Sequence, residues 1–397
     1  MNPYDMGKHA YETVPLYYNL SEKLHINIRE VPFDALPVVD KSYYVGSGMS
    51  MISSKYISEY MGGKLQYTRT SGSTGKFSEV YWNKRDYARS LVSLWVLRRK
   101  YYHILPTDKL AYFFPADTGE EGYTVRNHAM AISRKYLSDG RLAEAYDEIL
   151  AYDPVWMILQ PSLALLLCDV ARSRGVIPKS LRYIEFTGEY LEETVRKKVE
   201  DTFRCETANQ YGTKEVNSIA YECPEGTLHI MQDNVYLETV GDPKEQGELC
   251  VTSLTNFAMP FVRFNLEDRG EIIRNQMCAC GRCTDALKLS AGRSHDWIQC
   301  EDGTKLHSYI LLQIVHQINY ETDGEIIQYR VIQKDYRQFE VILVLEEAEA
   351  FAEIAEYITE RFHEKLGEDT EVAVHASERL LPSDKTGKLA EFITEMG

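Results

Sequence analysis

Residues 68–80 read TRTSGSTGKFSEV. Its centre, TSGSTGK (70–76), crowds two glycines, four hydroxyl side chains and a lysine between KLQY before and EVYW after, and both flanks have strand character. A Walker phosphate loop needs Gly, four residues, then Gly-Lys-Ser/Thr, between a strand and a helix. Gly75 and Lys76 are present, but Thr70 stands five before Gly75, and Phe77 follows Lys76. What comes next also reads as a strand, so this is not that loop. Its physical capacity is similar. Gly72 and Gly75 permit positive φ, which lets successive N–H groups converge. Ser71, Ser73 and Thr74 add donors, and Lys76 adds charge. Such a strand–loop–strand can wrap the outer phosphates of a nucleotide. A plain surface hairpin fits the segment equally well.

Outward from this stretch, composition narrows the classes. The chain has 397 residues, too many for one ordinary core, so two or more domains are expected. A formal charge of −16 without a basic block argues against sequence-independent nucleic-acid binding. A small anionic ligand remains compatible, since a nest of amides can hold phosphate inside an acidic protein. The first eighteen residues lack an apolar core of signal-peptide length. The longest apolar run, SLALLLCDVA (162–171), is too short to span a bilayer. The expectation is a cytoplasmic protein without membrane contact, whose eight cysteines are thiols or metal ligands.

Residues 84–100 put Tyr87, Leu91, Leu94 and Trp95 on one helical stripe, and 155–174 read as a further helix ending at Gly175. LRYIEFTGEY (181–190) reads as a short buried strand running into a glycine turn, with a charged helix over 191–203 behind it. That alternation predicts α/β layering. The last hundred residues change character. IIQYRVIQ and FEVILVLEE form a strand pair joined by KDYR. A helix follows with Phe351, Ile354, Ala355, Ile358 and Phe362 on one face, then TEVAVHA as a third strand. This is a compact α+β module, and its boundary falls near AGRSHDW (291–297).

Several further stretches stand in a telling order. They are TGEY at 187–190, NQYGTKE at 209–215, MPFVRFNLEDRG at 259–270, AGRSHDW at 291–297 and SDKTGKL at 383–389. With TSGSTGK they resemble the adenylate-forming superfamily of acyl-CoA ligases, luciferases and peptide-synthetase adenylation domains. The phenylacetate-CoA ligase branch is the nearest, and its N-terminal phrases are echoed by YETVPLYY and FDALPVVDKSYY. The resemblance implies an α/β fold: a large multi-layer adenylating domain over 1–293 and a small mobile α+β C-terminal lid over 294–397. In this family a carboxylate attacks the α-phosphate of ATP, pyrophosphate leaves, and the acyl-adenylate passes to a thiol, usually that of coenzyme A. Positioned cations and donors carry such catalysis.

Carried over residue by residue, the resemblance assigns Thr70, Ser71, Gly72, Ser73, Thr74, Gly75 and Lys76 to the β- and γ-phosphates. Tyr211 and Gly212 belong to the adenine turn, with the backbone at Gly188 and Glu189 lining the base. Thr213 would donate to the α-phosphate, and Glu215 would ligate Mg2+, a hard ion suited to a carboxylate. Asp268 would accept from the ribose hydroxyls, with Arg263 near ribose or phosphate. Lys388 would bridge the substrate carboxylate and the nucleotide. Arg293 and Asp296 would form the hinge for thiol attack. Taken singly, each residue also has a plain structural reading: a core tyrosine, surface carboxylates, a solvated Asp268–Arg269 pair, a surface lysine.

ECPEGTLH (222–229) and MCACGRC (277–283) add a second feature. Cys223, His229, Cys278 and Cys280 supply three sulfurs and an imidazole, which suits tetrahedral zinc. Members of the resembled branch carry zinc there, and with four protein ligands the site would be structural. Cys283 is a fifth candidate able to replace one ligand. Cys168, Cys205, Cys250 and Cys300 read as isolated small apolar residues. His103 and His128 have no partner visible in sequence, and His295 sits in the hinge motif.

The sequence departs from the family pattern at three places. Glu267 stands where glycine usually precedes the ribose aspartate. Lys214 stands where serine is frequent in the branch. The segment lining the acyl pocket in relatives appears as FFPADTGEEGY (113–123). The substrate expected is a small-molecule carboxylic acid, aromatic or heteroaromatic by resemblance. Coenzyme A is the expected acceptor; the phosphopantetheine arm of a carrier protein or an amine is the alternative. A nucleotide-binding protein without turnover is a third reading, and a homodimer is compatible with all three.

Overall fold

The computed structural model describes residues 2–44, 48–70, 78–114, 122–133, 136, 141–241, 247–293, 297–322, 325–381 and 389–396. Ser71, Gly72, Ser73, Thr74, Gly75, Lys76, Asp296 and Lys388 lie outside them, as do His295 and most of the 113–123 segment. By contacts the chain divides into two compact units. One joins Met1–Pro106 to Ala208–Leu289, and the other joins Thr107–Thr207 to Ser290–Gly397.

The first unit opens with helices Pro3–Thr13 and Pro15–Leu24, each started by a proline whose missing N–H costs nothing there. The flanks of the opening stretch are strands: β1 (Gln66–Thr70) pairs antiparallel with β2 (Ser78–Trp82), Thr70 opposite Ser78. Helix Lys84–Tyr102 follows, capped by Asn83, whose side chain accepts from Arg85 N at 2.9 Å. Its buried face carries Asp86, Ser90, Leu94, Leu97, Arg98 and Tyr102, offset from the stripe the apolar pattern predicts. Polar bonds explain the offset. Ser90 Oγ accepts from Asn217 Nδ2 at 2.7 Å, and Ser90 O accepts from Asn234 Nδ2 at 2.7 Å.

The second unit begins with β3 (Leu110–Phe114), β4 (Tyr123–Arg126), β5 (Ala129–Ser133), β6 (Trp156–Leu159) and β7 (Tyr183–Thr187). They run in the order β7-β6-β3-β5-β4, parallel except for β4 at the edge. The pattern over 155–174 predicts a single helix. Instead β6 precedes a helix that starts at Pro161, and the two are separated at Gln160. A strand buried on both faces reads as a continuous apolar run, which periodicity cannot tell from buried helix. Helices Leu142–Tyr152, Pro161–Arg174 and Glu193–Phe203 cover this sheet through Ile149, Leu163, Leu167 and Val199.

Residues 208–289 return the chain to the first unit. There β8 (Glu206–Thr213), β9 (Asn217–Glu222), β10 (Leu228–Ile230), β11 (Val235–Val240), β12 (Gly247–Ser253), β13 (Phe264–Met277) and β14 (Cys283–Arg293) take the order β11-β12-β13-β14-β10-β9-β8. Tyr17, Trp82, Ile219, Phe261 and Phe264 are centres of its core. The segment around Val39 lies along the start of β13: Val39 N donates to Arg263 O at 3.0 Å, and Asn265 N to Val39 O at 2.8 Å.

The C-terminal stretch forms a hairpin of β15 (Trp297–Gln299) and β16 (Lys305–His307), then a four-stranded sheet. That sheet comprises β17 (Ile326–Asp335), β18 (Gln338–Leu345), β19 (Glu371–Ala376) and β20 (Phe392–Thr394), ordered β19-β18-β17-β20. The strand pair, the 351–366 helix with Ile354, Ile358 and Phe362 buried, and the third strand all match the sequence pattern. Among the described residues no helix is long and apolar enough to cross a membrane.

Candidate functional site

In the first unit the β8–β9 hairpin brings three of the expected nucleotide residues to one turn. The chain reverses after Thr213, and the ladder shifts register between Tyr211 and Gly212. Gly212 is required by close approach: a Cβ there would lie 2.3 Å from Asn217 O and 2.8 Å from Gln210 Nε2. Tyr211 Oη donates to Asp268 Oδ2 at 2.7 Å, so residues 57 positions apart meet across the sheet. Thr213 Oγ1 is buried and has no hydrogen-bond partner among the described residues. An orphaned hydroxyl is costly unless something else accepts from it. Glu215, 4% exposed, sits in the turn between the two strands.

Glu267 explains one departure from the family pattern. Its φ is +63°, a left-handed conformation that glycine adopts freely and a side chain adopts at a cost of about 1–2 kcal/mol. Two contacts hold it there. Lys41 Nζ lies 3.1 Å from Glu267 Oε2, and Glu267 N donates to Asn265 Oδ1 at 2.9 Å. Asp268 therefore keeps the backbone direction that a preceding glycine would allow.

Arg263 does a different job from the one its motif suggests. Its Nε and Nη2 donate to the two carboxylate oxygens of Glu238 at 2.9 and 3.2 Å, and Nη1 donates to Asp34 O and Leu36 O. Both side chains are buried, at 8% and 12% exposure. The guanidinium ties the N-terminal segment to β11 and β13, and all three nitrogens are engaged with protein. Its motif places it beside Asp268 in sequence, and nothing there reveals Glu238 as its partner.

In the second unit, Gly188 turns at φ +87° directly after β7. Glu189 follows, and its carboxylate accepts from Ser162 N (2.9 Å), Ser162 Oγ (2.8 Å) and Leu389 N (2.8 Å). Sequence reasoning assigned only the Glu189 backbone. The signal available was the unfilled cap of the 161–174 helix, since Gln160 makes no side-chain cap bond. Arg293 ends β14, and Thr70 ends β1. A cavity of about 250 Å³ opens on the β3–β5–β4 face, lined by Tyr112, Phe114, Thr124 and Arg126 among others. Its described lining includes none of the residues assigned to the nucleotide.

The cysteine cluster is fully assembled. The ligand atoms of Cys223, His229, Cys278 and Cys280 all lie within 4.8 Å of one another. Two similar turns present the thiols: Gly226 N donates to Cys223 O at 2.9 Å, and Gly281 N to Cys278 O at 3.0 Å. Both glycines have positive φ, +72° and +85°. A tetrahedral zinc with Zn–S of about 2.3 Å needs sulfurs about 3.8 Å apart. Cys223 and Cys278 stand 3.7 Å apart, and Cys280 Sγ is 3.3 Å from His229 Nε2. Thr284 Oγ1 holds the other ring nitrogen, Nδ1, at 2.7 Å, which turns Nε2 toward the thiols. Cys283 is exposed and bonds Asn275 O at 3.5 Å, outside the cluster. Burial pushes the Cys223 thiol up to about 11 and holds His229 down at about 4. A hydrogen bond from Thr227 draws Cys278 down to about 7. Metal binding would need these thiols as thiolates and the imidazole neutral, so it would release protons.

Comparison with known proteins gives this arrangement a context. A family model for the CapK C-terminal domain matches residues 299–395. The chain is 28% identical over 249 residues to a phenylacetate-coenzyme A ligase of Thermus thermophilus, an alignment covering 58% of this chain and 54% of the relative. It is 25% identical over 316 residues to the phenylacetate-coenzyme A ligase of Escherichia coli, covering 73% and 69%. The first of these alignments thus spans about half the relative's length. A crystal structure of 2-hydroxyisobutyryl-CoA ligase in the postadenylation state, in complex with 2-HIB-AMP, matches with a TM-score of 0.72 at 16% identity. That match covers 99% of this chain and 88% of the other, and it speaks for the fold. The chain is thus similar in sequence to phenylacetate-coenzyme A ligases and shares the fold of an acyl-CoA ligase of known structure.

Proposed function

We propose that this protein activates a carboxylic acid with ATP as an acyl-adenylate and transfers the acyl group to the thiol of coenzyme A. One observation supports this most: Tyr211 meets Asp268 at 2.7 Å and, two residues on, the buried Thr213 hydroxyl has no partner among the described residues. A carboxylate whose second oxygen is open can accept from a ribose, and a stranded hydroxyl can donate to a phosphate oxygen. In the reaction a carboxylate oxygen bonds to the α-phosphorus as the bond to the pyrophosphate oxygen breaks. The thiolate sulfur then bonds to the acyl carbon, and AMP leaves. Asp268 holds the sugar, with Tyr211 fixing its carboxylate. Thr213 donates to the α-phosphate, and Glu215 is the proposed Mg2+ ligand. Lys388 supplies the cation between two anions that otherwise repel. The segment 70–76 is proposed for the outer phosphates, and 294–397 for a C-terminal module that brings Lys388.

An aromatic acid is the proposed substrate, from the names of the phenylacetate-coenzyme A ligases. Cys223, His229, Cys278 and Cys280 are proposed to hold a structural zinc, which braces β9, β10 and the turn before β14 and takes no part in the chemistry. The test is pyrophosphate release from ATP over a panel of aromatic and aliphatic acids, followed by coenzyme A, a carrier protein and simple amines in parallel. Release with an aromatic acid and thioester formation with coenzyme A are expected. ATP binding without pyrophosphate release for every acid overturns the reading.

A further inference from the structure

We propose that Glu189 is a positioning residue for acid activation: its carboxylate fixes the peptide nitrogen of Leu389, the immediate chain neighbour of Lys388. The inference rests on the adenylation reading above. Glu189 Oε1 accepts from Leu389 N and from Ser162 Oγ, both at 2.8 Å, while Oε2 accepts from Ser162 N at 2.9 Å. Bonds to a carboxylate are shorter and stronger than neutral ones. Leu389 is held from other sides too. Its side chain packs against the apolar core that includes Phe186 and Leu181. Just beyond it, Arg330 Nε donates to Ala390 O at 3.0 Å, and Val331 N to Glu391 O at 2.8 Å. The strand after Lys388 is therefore fixed to β17 on one side and to the turn after β7 on the other. Among the described residues the Glu189 bond is the one nearest Lys388 in sequence.

A simpler role is capping. Glu189 also satisfies the first turn of the 161–174 helix, where the N-cap residue makes no side-chain bond. The two roles separate cleanly. Ser162→Ala removes one donor to Oε1 and leaves the Leu389 bond intact. Glu189→Gln keeps the shape but leaves one accepting oxygen for three donors and removes the charge that strengthens the bond to Leu389 N.

The experiment compares these variants of the full chain in two ways. The first is exchange of the Leu389 amide, read by mass spectrometry with residue-level fragmentation. The second is kcat for ATP–pyrophosphate exchange. In Glu189→Gln both should change about tenfold, the amide exchanging faster and kcat falling, while the KM for ATP stays within about twofold. In Ser162→Ala the Leu389 amide and kcat should stay close to wild type, with only melting temperature lowered. If Glu189→Gln matches Ser162→Ala in both measurements, or if only one of the two moves, the positioning role is refuted. If the wild-type protein releases no pyrophosphate with any acid, the adenylation reading fails and this role with it. The amide exchange then still reports whether the Glu189–Leu389 contact exists, so the two failures are told apart.

Discussion

Replacing Arg263 by methionine separates a buried tie from a ligand contact. Arg263 and Glu238 are 8% and 12% exposed and share two hydrogen bonds, and Nη1 satisfies two backbone carbonyls besides. Methionine keeps the stem's bulk but strands the Glu238 carboxylate and both carbonyls. Removing one partner of a buried ion pair costs about 3–5 kcal/mol. For a unit of this size about 2–4 °C of melting temperature goes with each kcal/mol, so a fall of about 10 °C is expected. Adding Glu238→Gln removes the stranded charge and should restore part of the loss, by about 1–2 kcal/mol. The assay is thermal and urea unfolding of wild type, both singles and the double, with the KM for ATP measured well below each melting point. That KM should stay within about twofold, because no guanidinium nitrogen is left over for a nucleotide. A variant that melts like wild type but binds ATP about tenfold more weakly refutes the assignment and returns Arg263 to ribose or phosphate.

Thr213→Val should leave melting unchanged or slightly raised, since the buried hydroxyl has no partner to lose among the described residues, yet cut pyrophosphate exchange about tenfold. Equal loss of stability and activity would contradict this. Gly212→Ala places a Cβ 2.3 Å from Asn217 O, so the hairpin must shift at a cost of about 1–3 kcal/mol, and Tyr211 should lose its register with Asp268. An unperturbed melting curve would count against the fitted turn. The purified protein should carry about one zinc per chain by metal analysis, lost in Cys280→Ser. In the metal-free protein burial holds His229 at about 4 against an unfolded value of 6.5. The unfolded chain then binds the extra proton, so this contribution is complete above pH 6.5 and shrinks as pH falls toward 4. Melting profiles between pH 4 and 8 with and without zinc test the sign.

Much of this fold was legible because pattern and packing agree. The strand pair over 326–345 and the 351–366 helix show the periods their burial demands. The cysteine cluster was legible from residue type and spacing, and geometry then excluded Cys283. Strand β6 was not legible, because WMIL between buried layers has no alternation to read. The buried face of the 84–102 helix was misaligned for a different reason. Asp86 and Ser90 turn inward to partners far along the chain, and apolar periodicity cannot register a polar residue with a remote donor.

The sharper limit shows within a single motif. MPFVRFNLEDRG contains Arg263 and Asp268, and chemistry alone recommends both for a nucleotide. Their surroundings part them. Arg263 faces a carboxylate on β11 and two carbonyls of the N-terminal segment, so its charge is neutralised inside the protein. Among the described residues Asp268 meets a tyrosine hydroxyl, which fixes one oxygen and adds no countercharge. Glu267, next to Asp268 within β13, adopts a left-handed backbone. A motif therefore supplies the residue types that could bind, and the neighbours from β11, the 33–44 segment and Tyr211 decide which of them remains free to do so.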